Sequence, residues 1–112
     1  MAKNRSIERY AFYLADLNPT QGGEINKVRP VVVISQAEMN LYLDTVVVCP
    51  LTTKLHPRWR SRLPCRCAAK KAEINVDQIR TISKSRLGKR LGVLEPANAA
   101  QIRRLITEMY GE

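Results

Sequence analysis

Apolar positions along this chain fall into short blocks, and the spacing inside each block predicts its element. Tyr10 to Asp16 (Tyr-Ala-Phe-Tyr-Leu-Ala-Asp) is aromatic and apolar enough for a strand. Pro30 to Ser35 holds Val31-Val32-Val33-Ile34, and Thr45 to Leu51 holds Val46-Val47-Val48. Such β-branched runs predict buried strands. Leu63 to Cys67, Ala72 to Val76, Gln78 to Ile82 and Lys89 to Leu94 are weaker strand signals. Near the C-terminus the spacing changes. Ile102, Leu105, Ile106 and Met109 follow the i, i+3, i+4, i+7 rule of a helix with one apolar stripe. Pro96 stands at the helix start, where its missing N–H costs nothing, and Gly111 stops it.

The polar stretches between these blocks predict the connections. Asn18-Pro19-Thr20-Gln21-Gly22-Gly23 is dense turn chemistry. Ala37 to Leu43 reads as a short helix, and Ser83-Lys84-Ser85-Arg86 as one helical turn. Residues 52–62 are polar, basic and interrupted by Pro57, which predicts an exposed loop or the mobile part of a hairpin. Residues 1–9 read as a flexible arm, leaving 10–112 as a single domain. Short strands separated by turns and closed by one helix predict a small curled sheet or barrel.

The 112 residues suit one compact domain, and a hydrophobic fraction of 45% argues against disorder. No apolar run approaches the roughly 18 residues needed to span a bilayer, and the charged start lacks a secretory core. The expected compartment is the cytoplasm, with no membrane partner. Cys49, Cys65 and Cys67 are an odd number without a CxxC spacing, as ordinary reduced thiols would be. With His56 the only histidine, the sequence offers no metal constellation, no phosphate-cradling GxxxxGK[ST] loop and no expected cofactor.

Charge changes the picture. The net charge is +9. Seven basic and no acidic residues lie from Lys54 to Lys71, and five more basic residues from Arg80 to Arg90. Excess charge of this kind speaks about partners rather than fold, and points to nucleic acid, an anionic surface or an acidic protein. Trp59 between Arg58 and Arg60 suits the stacking of unpaired RNA bases, although such a tryptophan could also pack on the barrel.

Several blocks resemble the MazF/PemK family of bacterial toxins: Asp16-Leu17-Asn18-Pro19-Thr20, Gly23-Glu24, and Val28-Arg29-Pro30-Val31-Val32. The resemblance continues at Pro50-Leu51-Thr52-Thr53, Asp77-Gln78-Ile79-Arg80-Thr81-Ile82 and Ser85-Arg86-Leu87, and covers roughly residues 9–110. It implies an α+β, mainly β fold: a small SH3-like barrel of PemK/CcdB type with short accessory helices and a C-terminal helix, assembled as a homodimer. It also implies metal-independent, sequence-specific cleavage of single-stranded RNA, usually mRNA with rRNA and tRNA left open. A further implication is an acidic antitoxin of MazE type whose disordered tail covers the RNA groove. The sequence departs from the family at Tyr10-Ala11, where relatives often carry glycine and an acidic residue, and in the unusually basic loop with Trp59.

RNA carries its own nucleophile in the ribose 2′-OH, so a protein need only assist it, stabilise the phosphorane and protonate the leaving 5′-oxygen. Arg29 offers a planar donor fork for phosphate oxygens and matches the family's catalytic arginine. Thr52 follows an apolar strand, could bond a phosphate oxygen, and matches a family active-site threonine. Glu24 could accept the 2′-OH proton or be a solvated loop charge. His56 invites a general-base role, but a basic loop is a poor mount for one. Asp77 and Gln78 carry groups suited to base edges and match a groove-lining family segment. Lys54, Arg80, Lys84 and Arg86 are candidate phosphate contacts. The rival readings are a non-catalytic nucleic-acid-binding module and a gyrase-poison toxin on the same fold.

Overall fold

The computed structural model describes residues 6–17 and 28–111. Seven strands, β1 (Ala11–Asp16), β2 (Val28–Val33), β3 (Thr45–Thr52), β4 (Arg62–Cys67), β5 (Lys70–Asn75), β6 (Arg80–Ser83) and β7 (Leu87–Val93), form one curled sheet. Among the described residues, a short helix α1 (Ala37–Tyr42) and a long one, α2 (Pro96–Tyr110), accompany the sheet. All pairings are antiparallel, in the order β4-β5-β3-β2-β1-β7, with β6 also on β3.

The long strand β3 makes the corner of this half-barrel. Its first half pairs with β6 through Thr45–Ser83 to Val48–Arg80, and its end pairs with β5 through Leu51–Ile74 and Thr52–Glu73. Pro50 lies between the two ladders. The carbonyl of Val47 faces β2, where it accepts from the Ile34 N–H at 2.8 Å. By strand alternation, residue 50 directs its backbone the other way, into the gap between β6 and β5. A residue without an N–H costs no ladder bond there.

Both faces of the central strands are buried, which is why their valine runs are continuous rather than alternating. One face packs Phe12, Val32, Cys49, Leu51 and Ile74 against Ala99 and Ile102 of α2. The other gathers Tyr13, Val31, Val33, Val48, Ile82 and Leu87. Ile7 belongs to this second core and is 2% exposed. Around it, Arg9 Nε donates to the Ile34 carbonyl at 2.9 Å and Arg90 pairs with Glu8 at 2.7 Å. Residues 6–9 are thus seated by an apolar anchor and two polar ties. Asn40 fixes α1 by donating to the carbonyls of Ile7 and Ser35 and accepting from the Ser35 hydroxyl.

The predicted stripe of α2 is the buried one, with Pro96 in its first turn. At its end, a Cβ on Gly111 would lie 2.7 Å from the Thr107 carbonyl, so close approach requires the glycine. One strand assignment needs correction: Gln78 ends a 3₁₀ turn, Val76–Gln78, and the strand begins at Arg80. The Ile79 N–H turns back to the Val76 carbonyl instead of joining the ladder to β3.

Candidate active site

Arg29 and Thr52 are far apart in sequence but meet on one surface. Strands β2 and β3 pair as Val31–Pro50, Val32–Cys49 and Val33–Val48. This ladder ends at Val31–Pro50, two residues short of Arg29 and Thr52, and so brings both to the same end of the two strands. Both line a groove of roughly 680 Å³ at the open side of the half-barrel. Pro30, Leu51, Cys67, Ala72 and Leu91 give the groove an apolar floor. Arg29, Thr52, Thr53, Lys54 and Lys70 give it a polar rim, and no carboxylate is among its described lining residues.

The rim is prepared for an anion. Among the described residues, Arg29, Lys54 and Lys70 form no ion pair, so their donors need not be stripped from an acidic neighbour. The Thr52 hydroxyl oxygen accepts the Lys54 backbone N–H at 3.1 Å. That contact uses a lone pair and leaves the hydroxyl proton to donate elsewhere. An arginine fork, a hydroxyl donor and two ammonium groups over an apolar floor can hold a phosphodiester and shield part of it from water.

The other expected site residues divide. Lys54 joins the groove. Arg86 stands near its Arg29 end, because Ala15 pairs with both Arg29 and Leu87. Its guanidinium donates to the Asp16 carbonyl at 3.0 Å. Lys84 donates to the Asn40 carbonyl at 2.6 Å and ties α1 to the turn before β7. Asp77, Gln78, Arg80 and Lys84 do not line the groove. Arg58 and Trp59 are exposed on the loop 53–61, where the Trp59 ring stacks on His56 with centroids 3.9 Å apart and planes 7° from parallel. Glu24 lies outside the described residues.

The thiols are unsuited to nucleophilic attack. Burial, and secondarily the Asp77 charge, pushes the Cys49 thiol up to about 12. Burial, with Cys67 beside it, does the same to Cys65. Burial also raises Cys67, the one thiol on the groove floor. All three are free and buried. A thiol held protonated near neutral pH is a poor nucleophile. Among the described residues, no three His, Cys, Asp or Glu side chains are grouped to hold a metal ion, and no helix is long and apolar enough to cross a membrane.

Sequence reasoning missed the groove floor and Lys70. Leu91 and Cys67 come from strands that approach only in the folded sheet, and no local spacing marks them. It also missed the buried pair Arg62–Glu73, at 3.2 Å beneath the loop 53–61.

Residues 8–110 match the family described as PemK-like, MazF-like toxin of type II toxin–antitoxin system. The chain is 32% identical to an endoribonuclease MazF of Staphylococcus saprophyticus, over 94% of this chain and 92% of that relative. Among solved structures, a mycobacterial endoribonuclease in complex with its cognate antitoxin superposes with a TM-score of 0.78 at 24% identity, covering 94% of this chain and 95% of that one. MazF from Deinococcus radiodurans superposes with a TM-score of 0.81 at 18% identity, covering 96% and 98%. These structures share the curled sheet and its helices.

Proposed function

The chain belongs to the PemK-like, MazF-like toxins of type II toxin–antitoxin systems, and on that premise we propose that it is a sequence-specific, metal-independent endoribonuclease acting on single-stranded RNA at the Arg29–Thr52 groove. The observation that carries this reading is that Arg29 of β2 and Thr52 of β3 line one groove whose described rim is basic.

In this mechanism the ribose 2′-OH attacks the adjacent phosphorus, the P–O bond to the 5′-oxygen breaks, and the departing 5′-oxygen takes up a proton from water. Arg29 spans two phosphate oxygens and stabilises the charge that grows on them, a contribution of about 3–4 kcal/mol by analogy with oxyanion donors. The Thr52 hydroxyl donates to a phosphate oxygen, and Lys54 and Lys70 hold the flanking backbone. Glu24 remains the candidate acceptor for the 2′-OH proton. Proton transfer by a placed group adds about 10²–10⁴-fold. Arg58, Trp59, Asp77, Gln78, Arg80, Lys84 and Arg86 are proposed RNA contacts beyond the groove, with Trp59 on the base side.

The net charge of +9 suits both RNA and an acidic antitoxin tail of MazE type competing for the same surface. We take the working form to be a cytoplasmic homodimer. The test is incubation of a long RNA with the protein in excess EDTA, followed by mapping of the new ends. Expected products carry a 2′,3′-cyclic phosphate, or its opened form, and a 5′-hydroxyl. Strict Mg²⁺ dependence or 5′-phosphate ends would refute the mechanism. Tight RNA binding with no cleavage would favour a non-catalytic binding module.

A further inference from the structure

A carboxylate lies buried directly beneath the exposed loop beside the groove. Glu73 on β5 is 2% exposed and pairs in register with Thr52. Its Oε1 accepts the His56 backbone N–H at 2.8 Å and the Arg62 Nη1 at 3.2 Å. The same Arg62 nitrogen donates to the Lys54 carbonyl at 3.0 Å. One ion pair thus holds the loop at Lys54, at His56 and at Arg62, where β4 begins. The turn is closed by the Trp59 N–H on the His56 carbonyl at 2.9 Å and the Arg62 N–H on the Trp59 carbonyl at 3.2 Å.

This anchorage is expensive as a means of stability. A buried ion pair rarely exceeds its desolvation cost, and Arg62 Nε is also buried without an acceptor among the described residues. What it secures is position. The clasp fixes a two-ring stack, His56 on Trp59, with the Arg62 guanidinium 4.8 Å from the Trp59 ring. The stack is not core: Trp59 is 52% exposed and His56 is exposed. It stands on a basic loop whose first residues, Thr53 and Lys54, are part of the groove rim. Rings already ordered lose little entropy when a base joins them.

We propose that His56 and Trp59 form a preassembled platform for one unpaired RNA base next to the bound phosphate, and that Glu73 and Arg62 are the positioning residues that hold this platform at a set distance from Thr52. The inference rests on the ribonuclease reading. It turns His56 from a candidate base into a stacking ring and accounts for a buried charge that the chemistry itself does not use. With His56 and the Arg62 guanidinium both over the Trp59 ring, an added base stacks on the outer face of His56, while the phosphate beside it lies over Lys54 and Thr52.

Trp59 is the one tryptophan in the chain, so its fluorescence reports on the platform alone. The probe is a short mixed-sequence 2′-O-methyl RNA, which lacks the free hydroxyl needed for cleavage. Dextran sulfate is the polyanion without bases. The RNA should change Trp59 emission and dextran sulfate should not. His56→Ala should weaken binding by about 5- to 150-fold, the range of one base–aromatic stack. Glu73→Gln keeps shape but removes the charge, and Arg62→Lys keeps charge but removes the fork. Each should red-shift free Trp59 emission and raise KM on cleavable RNA, with a much smaller change in the rate at saturation. Circular dichroism checks their fold. Should Glu73→Gln fail to fold, Arg62→Lys and the surface variant His56→Ala still decide. RNA that binds without altering Trp59 emission, or His56→Ala with wild-type affinity, overturns the platform. Folded Glu73→Gln and Arg62→Lys with wild-type emission and KM overturn the positioning role. Failure of the wild-type protein to bind RNA overturns the ribonuclease reading itself.

Discussion

Replacing Arg29 separates chemistry from binding, and its magnitude follows from where the side chain stands. Arg29 is half-buried at the start of β2, on the groove rim, and has no ion-pair partner among the described residues. Truncation to alanine therefore leaves no buried carboxylate uncompensated, and the fold should lose only the packing of the side-chain stem, about 1 kcal/mol or less. The reaction should lose the donor fork, worth about 3–4 kcal/mol, or a fall of about 10²–10³-fold in single-turnover rate. Binding should fall much less, since Lys54 and Lys70 remain on the rim. The log–log salt slope should become shallower by about 0.7, one single-strand phosphate contact. Arg29→Lys should also be slow, because an ammonium is a point charge and cannot span two oxygens. The assay is single-turnover cleavage in EDTA with protein in excess, alongside binding to uncleavable RNA and a thermal melt. Cleavage by folded Arg29→Ala within a few-fold of wild type would refute the assignment. So would a loss of rate wholly explained by lost binding.

Thr52→Ala should slow cleavage by about 10–10²-fold while Thr52→Ser retains most activity, since the proposed role needs the hydroxyl and not the methyl; equal activity of the two variants would count against it. Ile102 is fully buried between α2 and the sheet, and Ile102→Ala should cost about 2–5 kcal/mol in urea unfolding. Ala68 and Ala69 both hold left-handed backbone, φ 53° and 67°, in the two-residue turn between Cys67 and Lys70. Ala68→Asn with Ala69→Gly should therefore raise stability by about 1 kcal/mol, and a lower urea midpoint would contradict that strain. Cys49 and Cys65 ionise at about 12 in the folded protein against 9.0 ordinarily, so the unfolded chain gives up these protons first as pH rises. Stability held below pH 9 should drain away between there and 12, at up to ~1.4 kcal/mol per pH unit per thiol. Under reducing conditions, Cys49→Ala should flatten that decline in urea midpoints above pH 9; an unchanged slope would show that Cys49 does not contribute.

The elements with a local signature were legible in the chain. The run Val31 to Ile34 announces a strand buried on both faces, because β-branched residues suit such a surface wherever it lies. The spacing of Ile102, Leu105, Ile106 and Met109 announces α2, because helical period is a property of neighbouring residues. Arg29 and Thr52 could be named from their motifs, but that they line one groove depends on the pairing of β2 with β3, which couples positions far apart in sequence. Gln78 shows the limit of local signals: its polar neighbourhood between Val76 and Ile79 suits a strand or a turn, and the Ile79 N–H bonding back to Val76 decides for the turn. Tyr10 takes φ 67°, with Arg9 and Arg103 over its ring and Arg103 donating to its hydroxyl. Only packing against α2 supplies the Arg103 contacts. Glu73 is the clearest case. In Lys70-Lys71-Ala72-Glu73 it looks like one more polar strand position, and nothing nearby says it is buried. A carboxylate can leave water only where another segment brings partners, and those partners, Arg62 and the His56 N–H, reach Glu73 only when β4 closes against β5 and the loop folds over it.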